Sequence, residues 1–173
     1  MNQKIVLGGG CFWCTEAVFS MFDGVIKTAV GYSGGSTKNP TYETICEGNT
    51  NHAEVLEIEY DPKIMPLEKL LDIFFTMHDP TTLNRQGADV GTQYRSAIYY
   101  TNEEQRKTSM DFINKIQTQF QNKITTEVKP LEVFYTAEEY HQKYYENNKN
   151  QPYCSVVIKQ KIDKVRKKYQ LGK

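Results

Sequence analysis

The run Gly8-Gly9-Gly10-Cys11-Phe12-Trp13-Cys14 sets a cysteine directly behind three glycines and ahead of Ala17, Val18 and Met21, whose spacing is helical. Glycines let the backbone turn tightly and leave the cysteine accessible. Unpaired N–H groups at a helix start favour a thiolate, so Cys11 is the candidate redox nucleophile. The competing reading is a small buried hydrophobe, a common fate of free cysteine. Cys11 and Cys14 have the spacing of a redox dithiol. The same pair could supply half of a zinc site, but no second pair at zinc spacing follows, and no metal is expected. A Cys–His acyl-transfer site using His52, His78 or His141 is a further alternative. Otherwise His141 reads as a helix-surface or structural hydrogen-bonding residue.

Glu54 is the second candidate. In a strand from Ala53 to Tyr60, alternation places Glu54 on one face with Leu56, Ile58 and Tyr60, opposite Val55, Glu57 and Glu59. A carboxyl on an apolar face has its pKa raised and can serve as a general acid. The plainer alternative is a strand-end glutamate turned to solvent.

These side chains need a scaffold, and the hydrophobic pattern supplies one. Strands are expected at Lys4 to Leu7, Val25 to Tyr32, Ala53 to Tyr60, Tyr94 to Tyr100 and Leu131 to Tyr135. Helices are expected from Cys14 to Met21, after Pro66, and from Glu103 to about Phe120 with Asn102 as cap. Thr136-Ala137-Glu138-Glu139 reads as a capping box for a helix through Tyr145. The order β-α-β-β-α-β predicts an α+β fold with a ferredoxin-like split βαβ core, a mostly antiparallel sheet packed by helices, and additions at the C-terminal end. The irregular segments Ser33 to His52 and His78 to Gln93 are long enough to be functional loops. With no repeat or linker, residues 1–173 read as a single domain.

Lys plus Arg and Asp plus Glu number 21 each, which gives no support to nucleic-acid or acidic-membrane binding. No apolar stretch approaches the ~18–20 residues needed to span a bilayer. The segment before Gly8 lacks an apolar signal core, so a cytoplasmic protein is expected. Four cysteines (Cys11, Cys14, Cys46, Cys154) are too sparse for a disulfide scaffold.

Several further segments accompany the two candidates: Gly31-Tyr32-Ser33-Gly34-Gly35, Asn39-Pro40-Thr41-Tyr42, His52-Ala53-Glu54-Val55, Tyr60-Asp61-Pro62 and His78-Asp79-Pro80. They continue with Asn84-Arg85-Gln86-Gly87, Asp89-Val90-Gly91-Thr92-Gln93-Tyr94-Arg95-Ser96 and Glu138-Glu139-Tyr140-His141-Gln142. Together with Gly10-Cys11-Phe12-Trp13, and in this order, the chain closely resembles the peptide methionine sulfoxide reductase A family. The resemblance implies reduction of the S epimer of methionine sulfoxide, protein-bound or free, in repair of oxidative damage. Carried over by position, Cys11 attacks the sulfoxide sulfur and Glu54 protonates the departing oxygen. Tyr42 and Tyr94 match the tyrosines that hydrogen-bond that oxygen, Asp89 matches a further polar residue, and Phe12 and Trp13 match the apolar pocket for the S-methyl group.

The resemblance also implies a sulfenic acid on Cys11, resolved by a second thiol and then reduced. Cys14 and Cys154 are the candidate resolving residues, and direct attack by an external thiol such as glutathione is a third route. Pro152-Tyr153-Cys154 leads into Ser155-Val156-Val157-Ile158, which reads as a strand rather than a mobile tail. No bound cofactor is implied. The expected partners are oxidised proteins or free methionine sulfoxide, and thioredoxin, glutaredoxin or another dithiol as reductant.

Overall fold

The structure, a computed structural model, describes residues 1–170. In chain order the elements are β1 (Gln3–Gly9), α1 (Phe12–Phe19), β2 (Val25–Ser33), α2 (Tyr42–Cys46), β3 (Ala53–Tyr60) and α3 (Leu67–Met77). There follow the two-residue strands β4 (Arg85–Gln86) and β5 (Asp89–Val90), then β6 (Ser96–Tyr100), α4 (Glu103–Ile116), β7 (Glu127–Pro130), β8 (Phe134–Thr136), α5 (Tyr144–Asn147) and α6 (Lys159–Tyr169). The main sheet has the order β7-β6-β1-β3-β2-β8. Its centre, β6-β1-β3-β2, is the split βαβ arrangement, with each neighbouring pair antiparallel. β7 adds in parallel beside β6.

The alternation in β3 works as expected: Leu56, Ile58 and Tyr60 enter the main core, where Leu70, Leu71, Ile73 and Phe74 of α3 are fully buried. Each such side chain contributes roughly 1.5–3 kcal/mol of transfer free energy. The opposite face of the sheet carries a second, smaller cluster of Val6, Ala53, Val55, Ala97 and Tyr99. Asn102 caps α4 through its side chain, accepting from the Gln105 N–H at 2.8 Å.

The sheet must curl. β7 ends at Pro130 and β8 starts at Phe134, yet they lie on opposite edges of the six-stranded sheet. Four Cα steps reach roughly 14 Å at most, whereas a flat sheet would set those edges roughly 24 Å apart. Arg95, 8% exposed, bridges the same gap: its guanidinium donates to Gly34 O beyond β2 and to Asn51 O before β3, and pairs with Glu127 of β7.

Three expectations are corrected. Leu131 to Tyr135 is not one strand, because the chain there crosses between the two sheet edges and resumes pairing at Phe134. Thr136 to Tyr145 is not one helix; a 3-10 turn at Glu139–His141 and the short α5 replace it. The Ala137 N–H is taken by Val30 O at 2.9 Å, so the segment stays tied to the edge strand. Cys154–Ile158 is π-helical and runs directly into α6. Cys154, Ile158, Ile162 and Val165 are buried at helical spacing, which overrides the β propensity of Val156 and Val157.

Candidate active site

Antiparallel pairing brings four chain segments to one end of the sheet. β1 ends there, β3 and β6 begin there, and β2 runs out there into the segment carrying Tyr42. Cys11 follows β1, Glu54 is the second residue of β3, and Asp89 and Tyr94 lie just before β6. A cleft of about 180 Å³ at this end is lined by Cys11, Phe12, Trp13, Tyr42, Glu54, Asp89, Tyr94 and Tyr153. The seven residues expected as nucleophile, acid, hydrogen-bond donors and apolar wall all face this one cavity. Tyr153 is an addition that sequence reasoning missed.

Local geometry explains each position. Gly10 has φ +95°, and a Cβ there would lie 2.7 Å from the Gln86 side chain, so the turn into α1 needs glycine. Cys11 is the N-cap of α1, extended in backbone conformation and without a side-chain cap bond; its carbonyl accepts the Cys14 N–H at 3.1 Å. The next free N–H, that of Phe12, donates to Glu54 Oε1 at 3.3 Å. Trp13 stacks on Tyr144 with ring centroids 3.7 Å apart, and its indole N–H donates to His141 Nδ1 at 3.0 Å. The Tyr42 N–H donates to Glu138 Oε2 at 2.9 Å, while the Tyr32 hydroxyl donates to Glu138 Oε1 at 3.0 Å. Tyr153 donates its hydroxyl to Asp89 Oδ2 at 3.0 Å and lies 3.8 Å from Cys14 Sγ.

Glu138, His141 and Arg95 thus hold the site without lining it. His141 does make a structural hydrogen bond, as the acceptor for Trp13, but it is fully buried and not on a helix surface. Glu138, inside the segment expected as a capping box, holds Tyr42 instead. Its pairing with the Tyr42 amide spans 96 residues, and no local pattern could reveal it.

Burial dominates the electrostatics. Glu54 is 2% exposed, and desolvation pushes its pKa up to about 8, with the Phe12 N–H opposing and the Asp89 charge adding. The carboxyl is therefore mostly protonated at neutral pH. Burial, a hydrogen bond that the Cys11 thiol donates to the Cys14 sulfur and the proximity of Glu54 raise the Cys11 thiol well above its ordinary range. The helix start is expected to favour the Cys11 thiolate; here desolvation outweighs that effect. Cys14 is shifted the other way, held down by its hydrogen bond with Cys11 and by the Lys161 charge. Burial raises the Tyr42 and Tyr94 phenols, which stay protonated donors.

The raised Glu54 pKa carries a stability consequence. Between the ordinary carboxyl range and about pH 8 the folded chain holds a proton that the unfolded chain has released. Stability therefore falls as pH rises through that window. Glu54→Gln is expected to flatten that decline, measured by urea midpoints at about pH 5 and about pH 9; an unchanged decline in the variant would contradict the assignment.

The three histidines are committed elsewhere. His52 accepts the Gly35 N–H and donates to Thr37 O, clamping the segment before β3. His78 bridges Phe74 O and Ser96 Oγ, and burial lowers its pKa to about 4. With His141 bound to Trp13, none is hydrogen-bonded to Cys11, which removes the geometric basis for a Cys–His acyl-transfer site. Among the described residues no group of three His, Cys, Asp or Glu side chains is placed to hold a metal ion.

A cleft joining a cysteine, a protonated carboxyl, tyrosine hydroxyls and an aromatic wall defines a thiol-dependent oxidoreductase. The family model described as "Peptide methionine sulfoxide reductase" matches residues 3–172, and the chain belongs to that family. It is 54% identical over 165 residues to the peptide methionine sulfoxide reductase MsrA of Saccharolobus solfataricus, covering 95% of this chain and 93% of that one. The reduced form of Mxr1 from Saccharomyces cerevisiae superposes with a TM-score of 0.84 at 39% identity, over 88% of this chain and 89% of that one. Mxr1 in complex with Trx2 also matches, with a TM-score of 0.61 at 31% identity, over 83% and 84% of the two chains.

Proposed function

We propose that this chain, acting as one domain, reduces the S epimer of methionine sulfoxide through a sulfenic acid on Cys11. The observation that carries this reading is the convergence of Cys11, the protonated Glu54 carboxyl and two tyrosines on one cleft of about 180 Å³. A sulfoxide fits that set: its oxygen needs donors, its sulfur needs a thiolate, and its methyl needs an apolar wall. Cys11 attacks the sulfur while Glu54 delivers a proton to the oxygen, with Tyr42 and Tyr94 donating to it and Asp89, through Tyr153, ordering the polar side. Phe12 and Trp13 hold the methyl. Methionine leaves, the oxygen remains on Cys11 as sulfenic acid, and the proton released by the Cys11 thiol replaces the one given by Glu54.

Cys14 is the resolving thiol in this proposal. Cys11 at N-cap and Cys14 at N3 have the spacing at which a capping side chain meets the third residue of a helix. Cys14 hydrogen-bonds the Cys11 thiol and its pKa is lowered, which favours attack. Its thiolate displaces water from the sulfenic acid and leaves a Cys11–Cys14 disulfide. Cys154 is fully buried in the segment leading into α6 and lines neither opening to Cys11. Thioredoxin or another dithiol then restores both thiols; the pairing of Mxr1 with Trx2 supports the first. No helix among the described residues is long and apolar enough to cross a membrane. Dependence on a thiol reductant makes the reducing cytoplasm the proposed place of action. Peptide mapping after one turnover should show Cys11 linked to Cys14 in wild type and in Cys154→Ser, and no such link in Cys14→Ser. A Cys11–Cys154 link in wild type would overturn the assignment.

A further inference from the structure

Cys11 is approached from two sides. On one is the substrate cleft, which Cys14 does not line. Beyond the hydrogen-bonded pair Tyr153–Asp89, which borders both, a smaller opening of about 100 Å³ is lined by half-buried Cys11 and, at its floor, buried Cys14, flanked by Gln86, Val157 and Lys161. Those last three residues also line a much larger cleft of about 910 Å³, formed between the C-terminal end of α3, the turn at 119–122 and α6. The two cavities therefore meet at Gln86, Val157 and Lys161. The larger one is within the range of small-molecule sites.

Its charge is one-sided. Lys161, Lys164 and Lys168 line it, against Asp79. The Asp79 carboxylate is already used by the Thr81 N–H and hydroxyl. Lys168 is paired with Asp72. Lys161 donates to Met77 O, a neutral carbonyl, and Lys164 is exposed and in no ion pair among the described residues.

We propose that this lysine-lined cleft is a reductant site, taking a small carboxylate-bearing thiol of the glutathione class and directing it to Cys14 rather than Cys11. This rests on Cys14 being the resolving thiol. The incoming thiolate attacks Cys14 Sγ and the Cys11–Cys14 bond breaks. Its electron pair goes to Cys11, which takes a proton from solvent, leaving the small thiol disulfide-bonded to Cys14. A second small thiol attacks that external sulfur, releasing Cys14 and the oxidised small-molecule disulfide. Two thiols are oxidised and one protein disulfide is reduced. The lysines attract the carboxylates and the thiolate alike.

The test starts from protein oxidised by one equivalent of the S-sulfoxide. Peptide mapping first checks for the Cys11–Cys14 disulfide; its absence counts against the resolving role of Cys14, not against the cleft. Reduction of that disulfide is then timed with glutathione and with its diethyl ester, each rate corrected for thiolate fraction. At low ionic strength glutathione should react about 1.5- to 5-fold faster, the size of effect expected for exposed charge pairs. The preference should vanish in Lys164→Gln and at high salt and persist in Lys164→Arg, and the trapped adduct should sit on Cys14. Equal rates for acid and ester, a preference unchanged in Lys164→Gln, or an adduct on Cys11 would each overturn the proposal. So would dependence on Lys164 found with thioredoxin alone, which would assign the cleft to a protein partner.

Discussion

Replacing Cys11 by serine is expected to leave no measurable reduction of methionine sulfoxide, a loss on the order of 10⁴-fold or more, as when the bond-forming atom of an active site is removed. A serine oxygen cannot accept the sulfoxide oxygen as a sulfenic acid does, so the reaction has no first intermediate. Misfolding would not account for the loss. Cys11 sits at the N-cap of α1 and makes no cap hydrogen bond, whereas serine is among the preferred N-cap residues and should hold the helix start at least as well. Activity comparable to wild type in Cys11→Ser, measured by methionine release with excess dithiothreitol, would remove Cys11 from the chemistry.

Glu54→Gln is the second large effect, a fall of about 10²- to 10⁴-fold in single-turnover rate, the range for loss of a positioned general acid. Gln preserves the acceptor for the Phe12 N–H and is neutral, as the protonated acid is, so binding of the sulfoxide should change little. The pH profile should separate the roles. The reactive form carries a protonated Glu54 and a Cys11 thiolate, and the Cys11 thiol titrates well above its ordinary range. The rate should climb with pH as thiolate accumulates and stop climbing at about pH 8, where Glu54 begins to lose its proton. In Glu54→Gln the climb should continue through pH 8 from a much lower level. A variant with the wild-type rate and the same break would show that the carboxyl supplies no proton.

The parts of the fold legible in the sequence are those decided by local pattern. β3 runs from Ala53 to Tyr60 as its alternation predicts, and Asn102 caps α4. The same alternation puts Glu54 on the apolar face, where the structure buries it. Patterns fail where a distant partner decides the outcome. Thr136 to Glu139 looks like a helix start, but Val30 takes the Ala137 amide and Glu138 turns to Tyr42 and Tyr32. Ser155 to Ile158 looks like a strand, but its buried positions continue the stripe of α6. The protonation state of Cys11 is illegible for the same kind of reason. A helix start can be recognised from neighbouring residues, while burial in a cleft built from five different segments and the charge of Glu54, 43 positions away, cannot. Tyr153 itself carries no local signal of a role, since its link to Asp89 spans 64 residues.

The central claim is that oxygen passes from the S-sulfoxide to Cys11, and a stoichiometric single turnover tests it most directly. Reduced protein without added thiol is mixed with each separated epimer, and methionine and remaining free thiols are counted together. The S epimer is expected to give one methionine per chain and the loss of two thiols, recovered as the Cys11–Cys14 peptide; the R epimer should give neither. Methionine formed while Cys11 remains a free thiol, or equal yields from both epimers, would contradict it.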